Sequence, residues 1–471
     1  MSLHRLASAV LLPGFHGTTA PDWLLERVAD GLGGVVLFGR NVESDEQVAA
    51  LSAQLRGVRP DVVIGIDEEG GDVTRLDYGR GSEVPGNHAL GAADDPGLTR
   101  AVATSIGARL AACGVSLNLA PSADLVLTLE DPVIGVRSFG SDPAHAGRHV
   151  AAYVEGLQAT GVAACAKHFP GHGASTVDSH EALPVLPRTV EELRAVEFVP
   201  FHAAVLAGAR SIMTGHLVVP EWGPEPATLN EVAVRALRDE LGFTGAVITD
   251  GLDMKAVGGD LAAGSVKALA AGVDALCLGG EPLDDAGLEW LVESIVAAVG
   301  DGRLSRERLE EAARRTAALG TPPRVGEGRD VALGQEAARR ALEVRGALRL
   351  SGPPVVLDLP VEASIAVGEV PWGLAPYLVE LVPGTAVAPV ASADEVAAFA
   401  AGRTVVVVTR EVHRFPWARD LLTSLVNIGL DLVHVETGVP GPDLGTAARV
   451  DTHGGSRVCL RAAAERIAAS I

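Results

Sequence analysis

The stretch AACAKHFPGHGASTVDSH, residues 163–180, decides how the fold is read. It begins with four small apolar residues and then reaches a lysine and a histidine, Lys167 and His168. Pro170, Gly171 and Gly173 then turn the chain, and Asp178 and His180 follow. An apolar run without alternation fits a strand buried on both faces, as in a parallel sheet.

The pattern recurs. AVLLPG (9–14), GVVLFGRN (34–41), VVIGID (62–67), SLNLAP (116–121), SIMTGH (211–216), AVITD (246–250) and DALCLG (274–279) bring such runs to eight. Helix-like segments separate most of them: DEQVAALSAQLRG (45–57), DPGLTRAVATSIGARLAACG (95–114) and EVAVRALRDELG (231–242). The last has Asn230 as N-cap and Gly242 as its stop. Eight strand-and-helix units predict an α/β fold, a (β/α)8 TIM-like barrel. Such barrels carry chemistry at the C-terminal ends of their strands. Arg40, Asn41, Asp67, Asp124, Lys167, His168, His216 and Asp250 stand there. Polar residues begin wherever buried strands end, but the preference for His, Asp and Lys points to a site.

The barrel is expected over 1–320. Residues 321–345 read as a linker and connecting helix, and 346–471 as a smaller C-terminal α/β domain. Its strand candidates are PVVLDLP (354–360), SIAVGEV (364–370), TVVVVTREV (404–412) and LDLVHVETG (430–438). Its helix candidates are ADEVAAFAAG (393–402) and WARDLLTSLVNIG (417–429). Its polar residues form no constellation in the sequence, and no chemistry is assigned to it.

Composition narrows the function. With 48% hydrophobic and 21% charged residues the chain is globular rather than disordered. A net charge of -22 argues against nucleic-acid binding, which needs clustered Lys and Arg. Cys113, Cys165, Cys277 and Cys459 are far apart, form no CxxC, and read as reduced core residues. The start, MSLHRLASAVLLPGF, lacks a long apolar region with a cleavage site, and no run reaches the length of a membrane span. A cytoplasmic location without a membrane partner is expected.

Three readings of 166–180 compete. His168, His172, Asp178 and His180 are good metal-ligand types, but Pro and Gly interrupt any regular scaffold and no helical His spacing is present. A hydrogen-bonded structural loop is the plainest reading. Catalysis accounts for more of the details. Asp178 and His180, two apart, share a face in an extended segment, and a carboxylate orients an imidazole and supports its charged form. Such a pair is an acid/base in need of a nucleophile. No Ser lies in a G-x-S-x-G elbow and Cys165 is inside a strand. Asp250, ending GAVITD, fits a carboxylate nucleophile, and a nucleophile facing a proton donor is the apparatus of retaining glycoside cleavage.

The motif resembles the K-H-F-P-G-H-G-x(4)-D-S-H signature of glycoside hydrolase family 3 β-N-acetylglucosaminidases. LFGRN (37–41), IDEEGGDVTRL (66–76), DPVIGVRSFGSDP (131–143), IMTGHLVVP (212–220), PATLN (226–230) and LRDELGFTGAVITDGLDM (237–254) extend the resemblance over roughly 8–320. Gly251 stands where the family often has a second Asp, and Asp72 where it commonly has Arg.

The resemblance implies a retaining exo-β-N-acetylglucosaminidase without a cofactor or catalytic metal. Asp250 is then the nucleophile that forms a glycosyl intermediate, His180 the acid/base, and Asp178 its support. Asp67 and Arg75 bind one side of the terminal sugar, and Arg137, Lys167 and His168 the other. Expected partners are N-acetylglucosamine-containing oligosaccharides or muropeptides, with phosphate as a further possible acceptor, since neutral His does not repel an anion. The rivals are the same enzyme acting as a phosphorylase, a family 3 β-glucosidase, an aldolase using Lys167 as a Schiff base, and a non-catalytic sugar-binding barrel.

Overall fold

All eight apolar runs become short strands whose every residue is buried: β1 (Leu11–Pro13), β2 (Gly34–Leu37), β3 (Val63–Ile66), β4 (Leu117–Asn118), β5 (Ala163–Phe169), β6 (Ser211–Thr214), β7 (Ala246–Thr249) and β8 (Leu276–Leu278). The computed structural model describes all residues except 178–181, 255–258, 281, 325, 327, 362–363, 365 and 369–370. Strands β2 to β7 pair in parallel in chain order, and β1 pairs in parallel with β8. A parallel bridge between Ile248 and Ala275 joins β7 to the segment entering β8. Leu12, Val36, Val63, Leu117, Cys165, Met213, Ile248 and Cys277, one from each strand, meet in a single core cluster. That convergence is the filled interior of a (β/α)8 barrel.

The capping signals operate as expected. The Asn230 side chain accepts a bond from the Val232 N–H at 2.9 Å, and Gly242 ends the segment with φ +67°. Between them the helix Glu231–Arg235 widens into a π-turn over Ala236–Glu240. All four cysteines are buried and unpaired, and Cys165 and Cys277 belong to the barrel core.

The chain divides into two compact units. The first is Met1–Glu69, Thr99–Ile134 and Ser141–Arg329, and it contains the barrel. The second is Gly70–Leu98, Gly135–Gly140 and Asp330–Ile471. The expected segments 1–320, 321–345 and 346–471 follow the chain, whereas these units interleave it. The reason is local. Ala89 packs with Ala338, Ala341, Val458, Cys459 and Ala462, and Asp72 bonds Arg410 and the Gly455 N–H. The helix Val331–Ala341, expected as a connector, belongs to the second unit.

The second unit holds β9 (Glu343–Gly346), β10 (Val355–Asp358), β11 (Ala386–Val387), β12 (Val405–Thr409), β13 (Leu432–Glu436) and β14 (Ala448–Asp451), ordered β11-β10-β12-β13-β14-β9. All pairings are parallel except β14 with β9. SIAVGEV forms no strand among its described residues. Among the described residues no helix is long and apolar enough to cross a membrane.

Candidate active site

The end of β5 supplies two consecutive polar residues. The pairing of β5 with β6 shifts register between Ala166 and Phe169, and the Lys167–His168 peptide is cis. A register shift of this kind re-aims side chains at the rim of a barrel. Lys167 Nζ lies 2.5 Å from Asp67 Oδ1 and 2.8 Å from Glu69 Oε1. Lys167 and Glu69 are buried, and Asp67, just past β3, is partly open. Asn118, ending β4, holds the loop of these acids. Its Oδ1 accepts from the Glu68 N–H at 2.9 Å and its Nδ2 donates to the Glu68 carbonyl at 2.8 Å. From below, the buried Tyr153 hydroxyl donates to the Glu69 carbonyl at 3.2 Å. Burial, and then Glu69 and Glu68, push that phenol well above its usual value.

His168 faces a different acid. Its Nδ1 lies 2.7 Å from Asp124 Oδ2, and the His172 N–H donates to Asp124 Oδ1 at 2.7 Å. The Ser122 hydroxyl adds a bond to Asp124 Oδ2 at 3.1 Å. Burial alone pushes the Asp124 carboxyl up. The His168 imidazole, His172 and these bonds outweigh it and hold the group below the ordinary carboxylate range. The loop that follows packs tightly. A Cβ on Gly173 would sit 1.5 Å from the Leu125 carbonyl oxygen, so only glycine fits there.

Asp250 follows β7 and is partly open. Its Oδ1 accepts the Gly251 N–H at 2.8 Å. His216, fully buried just after β6, holds the next carbonyl: its Nε2 lies 2.8 Å from the Gly251 oxygen. Two core thiols are raised. Burial pushes Cys277 up first, and Asp250, Asp67 and Asp253 push it further against the pull of Lys167. Burial likewise takes Cys165 to about 12, with Lys167, Asp67 and Asp250 acting on it as well. Asp67 after β3, Lys167 near the end of β5 and Asp250 after β7 share one end of the barrel because these strands run parallel. Their acids and cations suit strong, directional bonds to hydroxyl groups, and the partly open Asp250 carboxylate suits nucleophilic attack.

The other expected residues fall elsewhere. Asp178 and His180 lie outside the described residues. Arg75 and Arg137 belong to the second unit. Arg75 donates to the Ala366 carbonyl at 3.0 Å, and the Arg137 carbonyl accepts from Asn87 at 2.7 Å. Asp72, which replaces the family's common Arg, is bonded by Arg410 at 2.6 Å, and that guanidinium lies 4.2 Å over the Trp372 ring. Arg40 and Asn41 brace loops. Arg40 donates to the Phe15 and Gly279 carbonyls at 3.2 and 2.6 Å, and Asn41 to Phe15 and Gly17 at 3.0 and 2.8 Å. Glu69 escaped the sequence reading, although the paired acids of IDEEGG at a strand end were its signal.

A model of the glycosyl hydrolase family 3 N terminal domain matches residues 20–319. A β-hexosaminidase of Stenotrophomonas maltophilia (strain R551-3) is 41% identical over 259 residues, 52% of this chain and 76% of that protein. The structure of a glycoside hydrolase family 3 β-N-acetylglucosaminidase from Paenibacillus sp. str. FPU-7 superposes with a TM-score of 0.89 at 30% identity, covering 100% of this chain and 97% of that one. The crystal structure of a β-N-acetylhexosaminidase from Beutenbergia cavernae DSM 12333 has a TM-score of 0.61 at 30% identity, covering 68% of this chain and 98% of that one. With residues 20–319 matched, well over half of its length, the chain belongs to glycosyl hydrolase family 3.

Proposed function

We propose that this chain is a retaining exo-β-N-acetylglucosaminidase that removes terminal β-linked N-acetylglucosamine from oligosaccharides or muropeptides in the cytoplasm. The observation that supports this reading is that Asp67 after β3, Lys167 near the end of β5 and Asp250 after β7 stand at the C-terminal ends of parallel barrel strands, with Lys167 Nζ 2.5 Å from Asp67 Oδ1. In the first step His180, oriented by Asp178, protonates the glycosidic oxygen. Asp250 attacks the anomeric carbon, the carbon–oxygen bond to the leaving group breaks, and a glycosyl ester forms. In the second step His180 takes a proton from the acceptor, which displaces the Asp250 carboxylate. Asp67, Arg75, Arg137, Lys167 and His168 hold the sugar hydroxyls. No cofactor enters the reaction, and 346–471 contributes no reacting group.

A second reading, transfer to phosphate, is supported by the residue type of the acid/base. Neutral His180 does not repel an incoming anion as a carboxylate does. Release of nitrophenol from the β-N-acetylglucosaminide, measured beside the β-glucoside, with and without phosphate and with EDTA, tests both readings. Cleavage of the acetamido sugar alone, unaffected by EDTA, is expected. A sugar 1-phosphate as product supports the second reading, and free sugar alone excludes it. Absence of cleavage, or loss of activity in EDTA, overturns the first.

A further inference from the structure

We infer that His216 is a positioning residue that sets the attack geometry of Asp250 through Gly251. The inference rests on the reading of Asp250 as nucleophile. His216 is completely buried, stands two residues past β6, and spans to Gly251, two residues past β7. Its Nε2 is 2.8 Å from the Gly251 carbonyl oxygen. A carbonyl only accepts, so Nε2 carries the proton and donates. The same glycine donates its N–H to Asp250 Oδ1 at 2.8 Å. One residue, Gly251, is thus held by the ring at its carbonyl and holds the carboxylate with its N–H, the two groups lying in successive peptides joined at the Gly251 Cα. The orientation of the carboxylate follows from the orientation of Gly251.

The ring is itself anchored. Its Nδ1 lies 2.9 Å from Thr228 Oγ1, in the turn Ala227–Leu229. That hydroxyl lies 3.0 Å from the Gly215 carbonyl and 3.3 Å from that of Thr214, at the end of β6. Asp250 is further fixed by its own N–H, which donates to the Thr214 carbonyl at 3.0 Å. Thr228, His216 and Gly251 therefore form a line of three groups ending on the nucleophile. A core histidine with no link to the reaction needs none of this alignment with Asp250. Gly251 has the further effect of keeping the chain small here: a Cβ at this position would lie 3.2 Å from Asp253 Oδ1.

The test uses the full chain and nitrophenyl β-N-acetylglucosaminide. His216→Leu fills the space without a donor, whereas His216→Gln keeps an N–H that reaches the same carbonyl. Misplacing a reacting group by about 1 Å costs on the order of a hundredfold in rate. His216→Leu is expected to lower kcat by about that factor with KM changed less than about threefold, and His216→Gln to restore kcat to within about tenfold of wild type. Thr228→Val, which leaves the ring and removes its anchor, is expected to lower kcat about tenfold. Wild-type kcat in Thr228→Val overturns the inference even where His216→Leu fails to fold. Equal losses in the Leu and Gln variants, or a loss confined to KM, also overturn it. Asp250→Asn separates the two ideas. Full activity in that variant removes the nucleophile reading and the inference with it. An inactive Asp250→Asn beside a fully active His216→Leu removes the inference alone.

Discussion

Replacing Lys167 by Met tests whether the cation at the end of β5 is the electrostatic centre of the site. Lys167 Nζ lies 2.5 Å from Asp67 and 2.8 Å from Glu69, and the Lys167 and Glu69 side chains are each only 2% exposed. Removing the ammonium leaves two carboxylates facing each other with little water to screen them. Breaking a buried pair in this way costs about 3–5 kcal/mol, against about 1 kcal/mol or less for an exposed one. For a barrel unit of roughly 300 residues, unfolding entropy of about 0.6 kcal/mol/K turns that into a drop of about 5–8 °C in Tm. Calorimetry on the full chain measures it. Lys167→Met with Glu69→Gln removes one of the two charges and is expected to recover more than half of the loss. A drop below about 2 °C, typical of an exposed pair, or a double variant no better than the single one, refutes the reasoning.

Other consequences are equally direct. Gly173→Ala forces a Cβ to within 1.5 Å of the Leu125 carbonyl oxygen, so a loss of about 2–3 kcal/mol is expected by urea unfolding; an unchanged midpoint contradicts the packing. The Asp124 carboxyl is held below its ordinary value, so its contribution is present above about pH 4 and lost as pH falls through the folded value. The stability difference between wild type and Asp124→Asn should be full at pH 7 and shrink below about pH 4, and a difference that grows on acidification counts against the pairing. Arg410→Met, which strands the buried Asp72 carboxylate, should destabilise the second unit by about 3 kcal/mol. Exchanging the two residues, Asp72→Arg with Arg410→Asp, should be less damaging than either single change; a double variant worse than the sum shows that the pair is not a unit.

Strands buried on both faces announce themselves as unbroken apolar runs, and every run from AVLLPG to DALCLG became a strand. The second unit was read less completely because strands at and next to its edges break that rule. β14 is ARVD, in which buried Arg449 and Asp451 alternate with apolar residues and pair with each other at 2.7 Å. β9 is EVRG, mostly exposed, and β11 has only two residues. The interleaving of the units was invisible for another reason. Residues 70–98 join the second unit through contacts such as Ala89 with Ala462 and Asp72 with Arg410, which no local periodicity encodes.

For the site, residue types were legible and partners were not. Lys167 and Asp67 are 100 positions apart, and His168 and Asp124 are 44 apart. Only the order of the strands turns such a list into contacts. In a barrel whose strands pair in chain order, the end of one strand meets the ends of its neighbours. His168 on β5 accordingly meets Asp124 after β4, and His216 after β6 meets Gly251 after β7. Lys167 on β5 reaches past β4 to Asp67 and Glu69 after β3, and Asn118 of β4 ties the Glu68 backbone between them by two bonds. Glu69 is the acid that this exception brings in. Its partner lies two strands away in the barrel, which is why a reading by strand ends found Asp67 and missed the residue two places on.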